Sequence, residues 1–129
     1  MNKKTVLMIS ILFALVVLYS FGGAFQSSGE HPYETISQEK AKEIMDSGKK
    51  YTLLDVRTQQ EYDEKHIAGA YLIPDYEIES RAEKELPDKD ALILVYCRSG
   101  SRSKKASQKL AELGYTNVKD FGGINTWRY

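Results

Sequence analysis

Cys97 is the only cysteine in the chain, and the residues that follow it are of the types that bind anions. It ends an apolar run, Ala91–Tyr96, and begins the segment Cys97-Arg98-Ser99-Gly100-Ser101-Arg102-Ser103. Small residues let the backbone curl so that successive N–H groups point at a common centre, which suits an anion. A predicted helix that begins near Ser103 adds the positive end of its dipole, which stabilises a thiolate. We therefore expect Cys97 to be a nucleophilic thiolate at neutral pH.

The charges around this segment support an anion site. The chain has 18 basic and 18 acidic residues. From Ala91 to Ala111, however, every charged residue is basic: Arg98, Arg102, Lys104, Lys105 and Lys109. A local excess of this kind raises the concentration of anions at the mouth of a site. A cysteine after an apolar strand can instead be a small core residue, but a structural turn has no use for two arginines beside a thiol.

The elements that position this segment alternate between strand and helix patterns. The apolar run before Cys97 is typical of a strand buried on both faces of a parallel sheet. Further strands are predicted at Tyr51–Val56, Tyr71–Ile73 and Asn117–Phe121, and helical patterns at Gln38–Asp46, around Glu61 and Tyr62, at Asp75–Leu86 and after Ser103. This alternation predicts the α/β class, with one domain built on a central parallel sheet flanked by helices on both faces.

Local signals support the predicted helices. Ser37 is a plausible N-cap for Gln38–Asp46, and Gly48 marks its end. Gly114 closes the helix that follows Cys97. The acidic segment from Asp75 is predicted to be a solvated helix face, because such charge runs usually face water.

Four other residues could have functional roles. Asp55 and Arg57 follow a predicted strand, and we assign them to support of the active loop, with Asp55 capping the next turn. His66 could act as a base, but the loop already stabilises a thiolate, so we expect a packed turn there. Trp127 is predicted to anchor the core, although an aromatic ring near a pocket can also contact substrate.

Beyond the cysteine loop, further short motifs occur in order along the chain. They are Leu53-Leu54-Asp55-Val56-Arg57, Glu61-Tyr62, His66-Ile67-Ala68-Gly69-Ala70, Ile73-Pro74 and Gly122-Gly123-Ile124-Asn125-Thr126-Trp127. Together with the loop, they resemble the signatures of the rhodanese-like sulfurtransferases, over roughly residues 36–127. The resemblance implies a rhodanese-like domain in which Cys97 carries sulfur as a persulfide. It implies that the substrate-binding loop consists of Arg98, Ser99, Gly100, Ser101, Arg102 and Ser103.

The resemblance also implies a reaction. The donor would be a small anion such as thiosulfate, and the acceptor cyanide or a thiol. We expect no cofactor, no metal site and no nucleic-acid partner, and we expect a monomer. One alternative is a noncatalytic rhodanese-like module that binds a partner. Another is a cysteine phosphatase or arsenate reductase, but the related phosphatase loops resemble Cys-x5-Arg, whereas four residues separate Cys97 from Arg102 here.

Two positions depart from the family pattern. Lys65 stands where the family usually has glycine, which suggests a slightly different turn. The chain ends at Tyr129, soon after the Gly-Gly motif, so a short final helix is expected.

The N-terminal region has the pattern of an export signal. Asn2-Lys3-Lys4 is followed by an apolar stretch from Val6 to Tyr19, as in the charged and apolar regions of such signals. We predict residues 1–24 to be a signal peptide or an uncleaved anchor, 25–34 a linker and 35–129 the domain. An uncleaved anchor would span residues 6–25 and would be the domain's only contact with the membrane. The domain is expected to be exported, in the periplasm or another extracytoplasmic space.

Overall fold

The computed structural model describes residues 33–129, which form a parallel sheet with helices. The predicted signal or anchor and the linker up to residue 32 lie outside the described residues. The strand order is β1-β5-β4-β2-β3, and every pairing is parallel. The strands are β1 (Glu34–Thr35), β2 (Thr52–Asp55), β3 (Tyr71–Leu72), β4 (Ile93–Cys97) and β5 (Val118–Gly123). The predicted α/β class is confirmed.

Four α-helices connect these strands: α1 (Gln38–Asp46), α2 (Gln59–Glu64), α3 (Ile78–Glu85) and α4 (Ser101–Glu112). Single 3-10 turns cover Asp75–Glu77 and Ile124–Thr126, and the second is the short final helix that the sequence predicts. The predicted cap of α1 is confirmed, because the Ser37 hydroxyl accepts a hydrogen bond from the Lys40 backbone at 3.0 Å. Within residues 33–129, no helix combines the length and apolar character needed to cross a membrane.

The core lies on both faces of the sheet, because alternate residues of β4 point to opposite sides. On one face, Val95 belongs to a cluster with Ala82 of α3 and Leu110 of α4. On the other, Leu94 and Tyr96 belong to a cluster with residues of α1, β5 and the C-terminal segment, including Ala41, Ile44, Phe121 and Trp127. Helices therefore cover both faces, as predicted.

The acidic segment from Asp75 lies at the protein surface, as predicted. In α3, Ile78 and Ala82 are buried, whereas the acidic side chains are exposed or half-buried.

The sequence did not predict β1, because this strand has two residues, both exposed, and therefore no apolar pattern. Its residue Glu34 falls inside the predicted linker. β1 is held by parallel pairing with β5.

Candidate active site

The sulfur of Cys97 lies at the junction between β4 and α4. The Gly100 backbone N–H donates a hydrogen bond to Sγ at a donor–acceptor distance of 3.0 Å. Gly100 adopts a φ of +104°, a left-handed conformation that glycine reaches without strain, and this reverses the chain between strand and helix. The Cys97 side chain is 1% exposed. An anionic sulfur at this position is held by a backbone donor and largely shielded from water.

The helix after the loop begins earlier than predicted. α4 starts at Ser101 rather than near Ser103, because the left-handed Gly100 completes the reversal and serves as the N-cap. The Lys104 N–H donates to the Gly100 carbonyl, the first bond of the helical pattern. Consequently the N–H groups of residues 101–103 belong to the first turn of α4. They have no partner one turn back, so the positive end of the helix dipole lies next to the loop.

The loop rests on the backbone of β5. A Cβ atom on Gly123 would come within 2.6 Å of Ser99 Cα and still closer to the Arg98 carbonyl oxygen. Only glycine fits such an approach without displacement of the loop. The Asn125 N–H donates to that same Arg98 carbonyl at 3.1 Å, and Gln38 Nε2 donates to the Gly123 carbonyl at 2.8 Å. Sequence reasoning gave neither Gly123 nor Gln38 a role, although the Gly-Gly pair was the available signal.

Side chains also hold the first turn of α4. The buried Ser103 hydroxyl donates to the Gly100 carbonyl at 3.1 Å. Arg102 donates to both oxygens of Glu61, Nη1 to Oε1 at 2.7 Å and Nη2 to Oε2 at 2.9 Å. The hydrogen bond from Arg102 lowers the pKa of Glu61 to about 2. Glu61 was not predicted as a site residue, because its partner lies 41 positions along the chain.

Asp55 and Arg57 form a buried pair beside the loop. Asp55 Oδ1 accepts from the Arg57 N–H at 2.9 Å, which is the turn-capping contact expected from sequence, and Oδ2 accepts from Arg57 Nη2 at 2.7 Å. The Tyr96 hydroxyl donates to Asp55 Oδ2 at 2.6 Å and accepts from the Ile67 N–H at 3.0 Å. Burial, followed by the hydrogen bond to Asp55, raises the pKa of Tyr96. Tyr96 thus joins the ends of β2 and β4 and was missed by sequence reasoning.

His66 is exposed in the turn after α2 and has its own partners. Its ring stacks on Tyr62 with centroids 3.8 Å apart, and its Nδ1 lies 2.8 Å from the Tyr62 carbonyl oxygen. Lys65 beside it adopts a φ of −167°, extended backbone that any residue can take, so this turn does not require glycine. Trp127 packs against Phe121 at a centroid distance of 5.4 Å, consistent with an anchor.

A cleft opens beside the loop, and we call it the side cleft. Its volume is about 400 Å³. Its walls come from α2, the following turn, the loop and the C-terminal segment, and they comprise Arg57, Glu61, Glu64, Lys65, Arg98, Ile124, Asn125 and Trp127. Arg98 is exposed at this cleft, whereas Arg102 is turned toward Glu61. The two arginines of the loop therefore face different surroundings.

The chain resembles known sulfurtransferases in sequence. It is 39% identical over 71 residues to thiosulfate sulfurtransferase PspE of Escherichia coli, a match that covers 55% of this chain and 68% of the relative. It is 35% identical over 97 residues to thiosulfate sulfurtransferase GlpE of Coxiella burnetii, covering 74% of this chain and 88% of the relative. A further relative, the putative sulfur carrier protein YrkF of Bacillus subtilis, is 36% identical over 107 residues, 82% of this chain but 57% of that protein.

Solved structures agree with the sequence relatives. The human single-domain sulfurtransferase TSTD1 superposes with a TM-score of 0.66 at 28% identity, covering 72% of this chain and 92% of the other. The model of the rhodanese-like domain family matches residues 37–129, which contain every strand except β1 and the whole cysteine loop. Since the matched region, the parallel sheet and the loop coincide, the chain belongs to the rhodanese-like domain family.

Proposed function

We propose that this domain is a thiosulfate sulfurtransferase that carries sulfur as a persulfide on Cys97. The observation that carries the proposal is the Gly100 N–H directed at Sγ at 3.0 Å, at the start of α4. A backbone donor and a helix N-terminus stabilise a negative sulfur in both the resting thiolate and the persulfide. The relatives from E. coli and C. burnetii are thiosulfate sulfurtransferases, which supports the same reaction.

The reaction has two balanced steps. In the first, the Cys97 thiolate attacks the outer sulfur of thiosulfate, the sulfur–sulfur bond of the donor breaks, and sulfite leaves with the bonding pair. In the second, cyanide or a thiolate attacks the outer sulfur of the Cys97 persulfide. The bond to Sγ breaks, thiocyanate or a new persulfide leaves, and the Cys97 thiolate is restored.

The residues around Cys97 have separate roles in this proposal. Backbone N–H groups from Gly100 into the first turn of α4 stabilise the anionic sulfur in the transition state. Arg98, exposed at the side cleft, attracts the thiosulfate dianion. Arg102 and Glu61 fasten the first turn of α4 to α2, and Asp55 with Arg57 supports the ends of the strands.

Mass spectrometry of the intact protein tests the first step directly. After incubation with thiosulfate, the wild type should gain the mass of one sulfur atom and lose it again on addition of cyanide. The Cys97→Ser variant should keep its fold, gain no sulfur and form no thiocyanate, because a hydroxyl fits the same space but cannot form a persulfide. A wild type that never gains sulfur, or turnover by the variant, would overturn the proposal.

The loop geometry disfavours a phosphatase. A phosphatase loop needs its arginine free to bind the phosphoryl group, whereas Arg102 is occupied by both oxygens of Glu61. We expect the wild type to be far more active with thiosulfate and cyanide than with an aryl phosphate. An inserted residue between Ser101 and Arg102 should lower sulfur transfer and widen the loop for phosphate or arsenate. Ready hydrolysis of the aryl phosphate by the wild type would overturn this proposal and support the phosphatase instead.

We also propose that the domain acts outside the cytoplasm as a monomer. The support is the lysine-rich start followed by an apolar stretch within residues 1–24. Deletion of residues 1–24 should leave an active domain, because the described fold begins after them. Cell fractionation of the full chain should find activity outside the cytosol, and a wholly cytosolic protein would contradict the proposed location.

A further inference from the structure

The cysteine loop rests on the glycine pair Gly122-Gly123 at the end of β5, and a side chain of α1 lies behind that pair. A Cβ atom on Gly123 would collide with the Arg98–Ser99 backbone of the loop, whereas one on Gly122 would lie 3.8 Å from Gln38 Nε2. Neighbouring residues of a strand face opposite sides. The glycine pair therefore lies between the loop and the Gln38 amide.

Both hydrogens of the Gln38 amide nitrogen have acceptors. Nε2 donates to the Gly123 carbonyl at 2.8 Å and to the Thr126 hydroxyl oxygen at 2.9 Å. The Thr126 hydroxyl in turn donates to the same carbonyl at 3.2 Å. Because a carbonyl only accepts, the amide must present its nitrogen there. The Gly123 carbonyl is thus held by two donors, one of them 85 positions away along the chain.

The backbone of Gln38 is itself held in place. Gln38 is the first residue of α1, and the Ser37 hydroxyl caps that helix. The same helix buries Ala41 and Ile44 in the core. A side chain on a capped and packed helix can hold its partner at a defined position.

A short path of contacts leads from the glycine pair to the sulfur. Gly123 packs on the Arg98–Ser99 backbone, and the next loop residue, Gly100, donates its N–H to Cys97 Sγ at 3.0 Å. A Cβ atom on Gly100 would lie 3.5 Å from Gly122 Cα, so the donor residue also contacts the pair. Displacement of the pair would therefore displace the N–H group that faces the sulfur.

We propose that Gln38 is a positioning residue for sulfur transfer. Through the Gly123 carbonyl, its amide holds the loop where the Gly100 N–H meets Sγ. The effect on rate rests on the proposed function, whereas the effect on the loop is independent of any reaction. Gln38 acts through backbone atoms and not on the donor anion, so it governs the rate of attack while Arg98 attracts thiosulfate.

Matched variants separate positioning from stability. Gln38→Met keeps the length of the side chain and removes both donors. Gln38→Glu also removes them and places a carboxylate against the Gly123 carbonyl, although a negative charge in the first turn suits α1. Thr126→Val removes the second donor, and Thr126→Ser keeps it. The control is Ser37→Ala, which removes the cap of α1 and should lower the midpoint of urea unfolding at least as much as Gln38→Met.

The first measurement is single-turnover loading of Cys97 by thiosulfate, followed by intact mass. The saturating rate should fall about tenfold in Gln38→Met and further in Gln38→Glu, because attack is sensitive to displacements of about 1 Å or less. The thiosulfate concentration at half-saturation should not change in either variant.

The remaining variants complete this comparison. Thr126→Val should lose about threefold in rate, and Thr126→Ser should load like the wild type because serine supplies the same hydroxyl. Ser37→Ala should also load like the wild type despite its lower stability. An equal loss of rate in Ser37→Ala and Gln38→Met would overturn the assignment, since it would show an effect of stability alone.

NMR of the unloaded protein gives a second measurement that needs no reaction. The amide resonance of Gly100, whose N–H faces Sγ, should shift in both Gln38 variants and keep its wild-type position in Ser37→Ala. A wild type that never gains sulfur would overturn the proposed function and leave this comparison valid. A Gly100 resonance unchanged in both Gln38 variants would overturn the inference, as would wild-type loading rates in those variants.

Discussion

The two ends of the sheet are built from different interactions. At the carboxyl ends of the strands, next to Cys97, the Asp55–Arg57 ion pair is almost wholly buried and is joined by the Tyr96 hydroxyl. At the amino ends, the connections are closed by contacts to backbone carbonyls. There, the Tyr115 hydroxyl donates to the Leu86 carbonyl at 2.6 Å, and Lys89 lies 5.0 Å from the centre of the Tyr115 ring.

This difference shows what each end must achieve. At the amino ends, hydrogen bonds to the Leu86 and Leu113 carbonyls and the Lys89–Glu83 ion pair fix connections that reverse the chain. At the carboxyl ends the loop must hold one sulfur atom at a defined position, and positioning of that kind requires a supporting layer of fixed partners. Equivalent substitutions at the two ends should therefore have unequal effects on activity.

The largest effect is expected from Gly123→Ala. Its methyl group would overlap the Arg98 carbonyl, so the loop must move away from β5. Sulfur transfer should fall by about 100-fold or more, and stability by about 3 kcal/mol, as for overpacked sites. Steady-state kinetics and urea unfolding measure both.

Gly48→Ala is the matched control. Gly48 has a φ of +81° but open space around it, so a methyl group there adds backbone strain alone. It should cost about 1 kcal/mol of stability with unchanged turnover. Full activity of the Gly123→Ala variant would show that the contact between loop and β5 is not needed.

The next largest effect is expected when one tyrosine hydroxyl is removed at either end of the sheet. Tyr96→Phe leaves Asp55 and the Ile67 N–H each without one buried partner, and should cost about 2 kcal/mol and reduce turnover about tenfold. Tyr115→Phe should cost about 1 kcal/mol with turnover unchanged, because its carbonyl partner lies at the other end. Thermal unfolding and steady-state kinetics of the two variants measure these effects. An equal loss of activity in Tyr96→Phe and Tyr115→Phe would contradict the proposed difference between the two ends of the sheet.

A smaller effect, on the free energy of unfolding, should come from Glu61 and depend on pH. The pKa of Glu61 is lowered to about 2 in the folded state, from an ordinary value of 4.5. Its ionised form therefore adds stability that is complete above about pH 4.5 and is lost as the pH falls toward 2. Glu61→Gln should be less stable than wild type by about 1–2 kcal/mol at neutral pH, with the gap closing over that acid range.

Denaturant unfolding across this range measures the gap for Glu61→Gln. Glu39→Gln serves as the control, since Glu39 is exposed and makes no ion pair within residues 33–129, and its gap should stay small throughout. A Glu61→Gln gap that is constant with pH would show that the pair with Arg102 does not stabilise the loop.

The smallest effect is expected from changing Arg98, the exposed arginine of the loop. Arg98→Glu should raise the KM for thiosulfate several-fold and lower kcat less, because an exposed charge mainly attracts the anion. Added salt should reduce the difference between variant and wild type. An unchanged KM would place recruitment of the donor elsewhere.

Features encoded by neighbouring residues could be predicted from the sequence, and those that depend on distant pairs could not. The Ser37 cap, the Gly114 end of α4 and the position of Cys97 after a buried strand are all local patterns. The start of α4 was misplaced because nothing in the sequence states that Gly100 alone completes the turn. Partners such as Glu61 and Arg102 meet only after the sheet has formed, so their spacing along the chain carries no signal.

The burial of Sγ has a consequence for covalent self-association. A disulfide needs two sulfur atoms about 2 Å apart with both Cβ atoms close, and the folded domain does not expose its only thiol to that degree. Two folded copies therefore cannot crosslink through Cys97, even in an oxidising space.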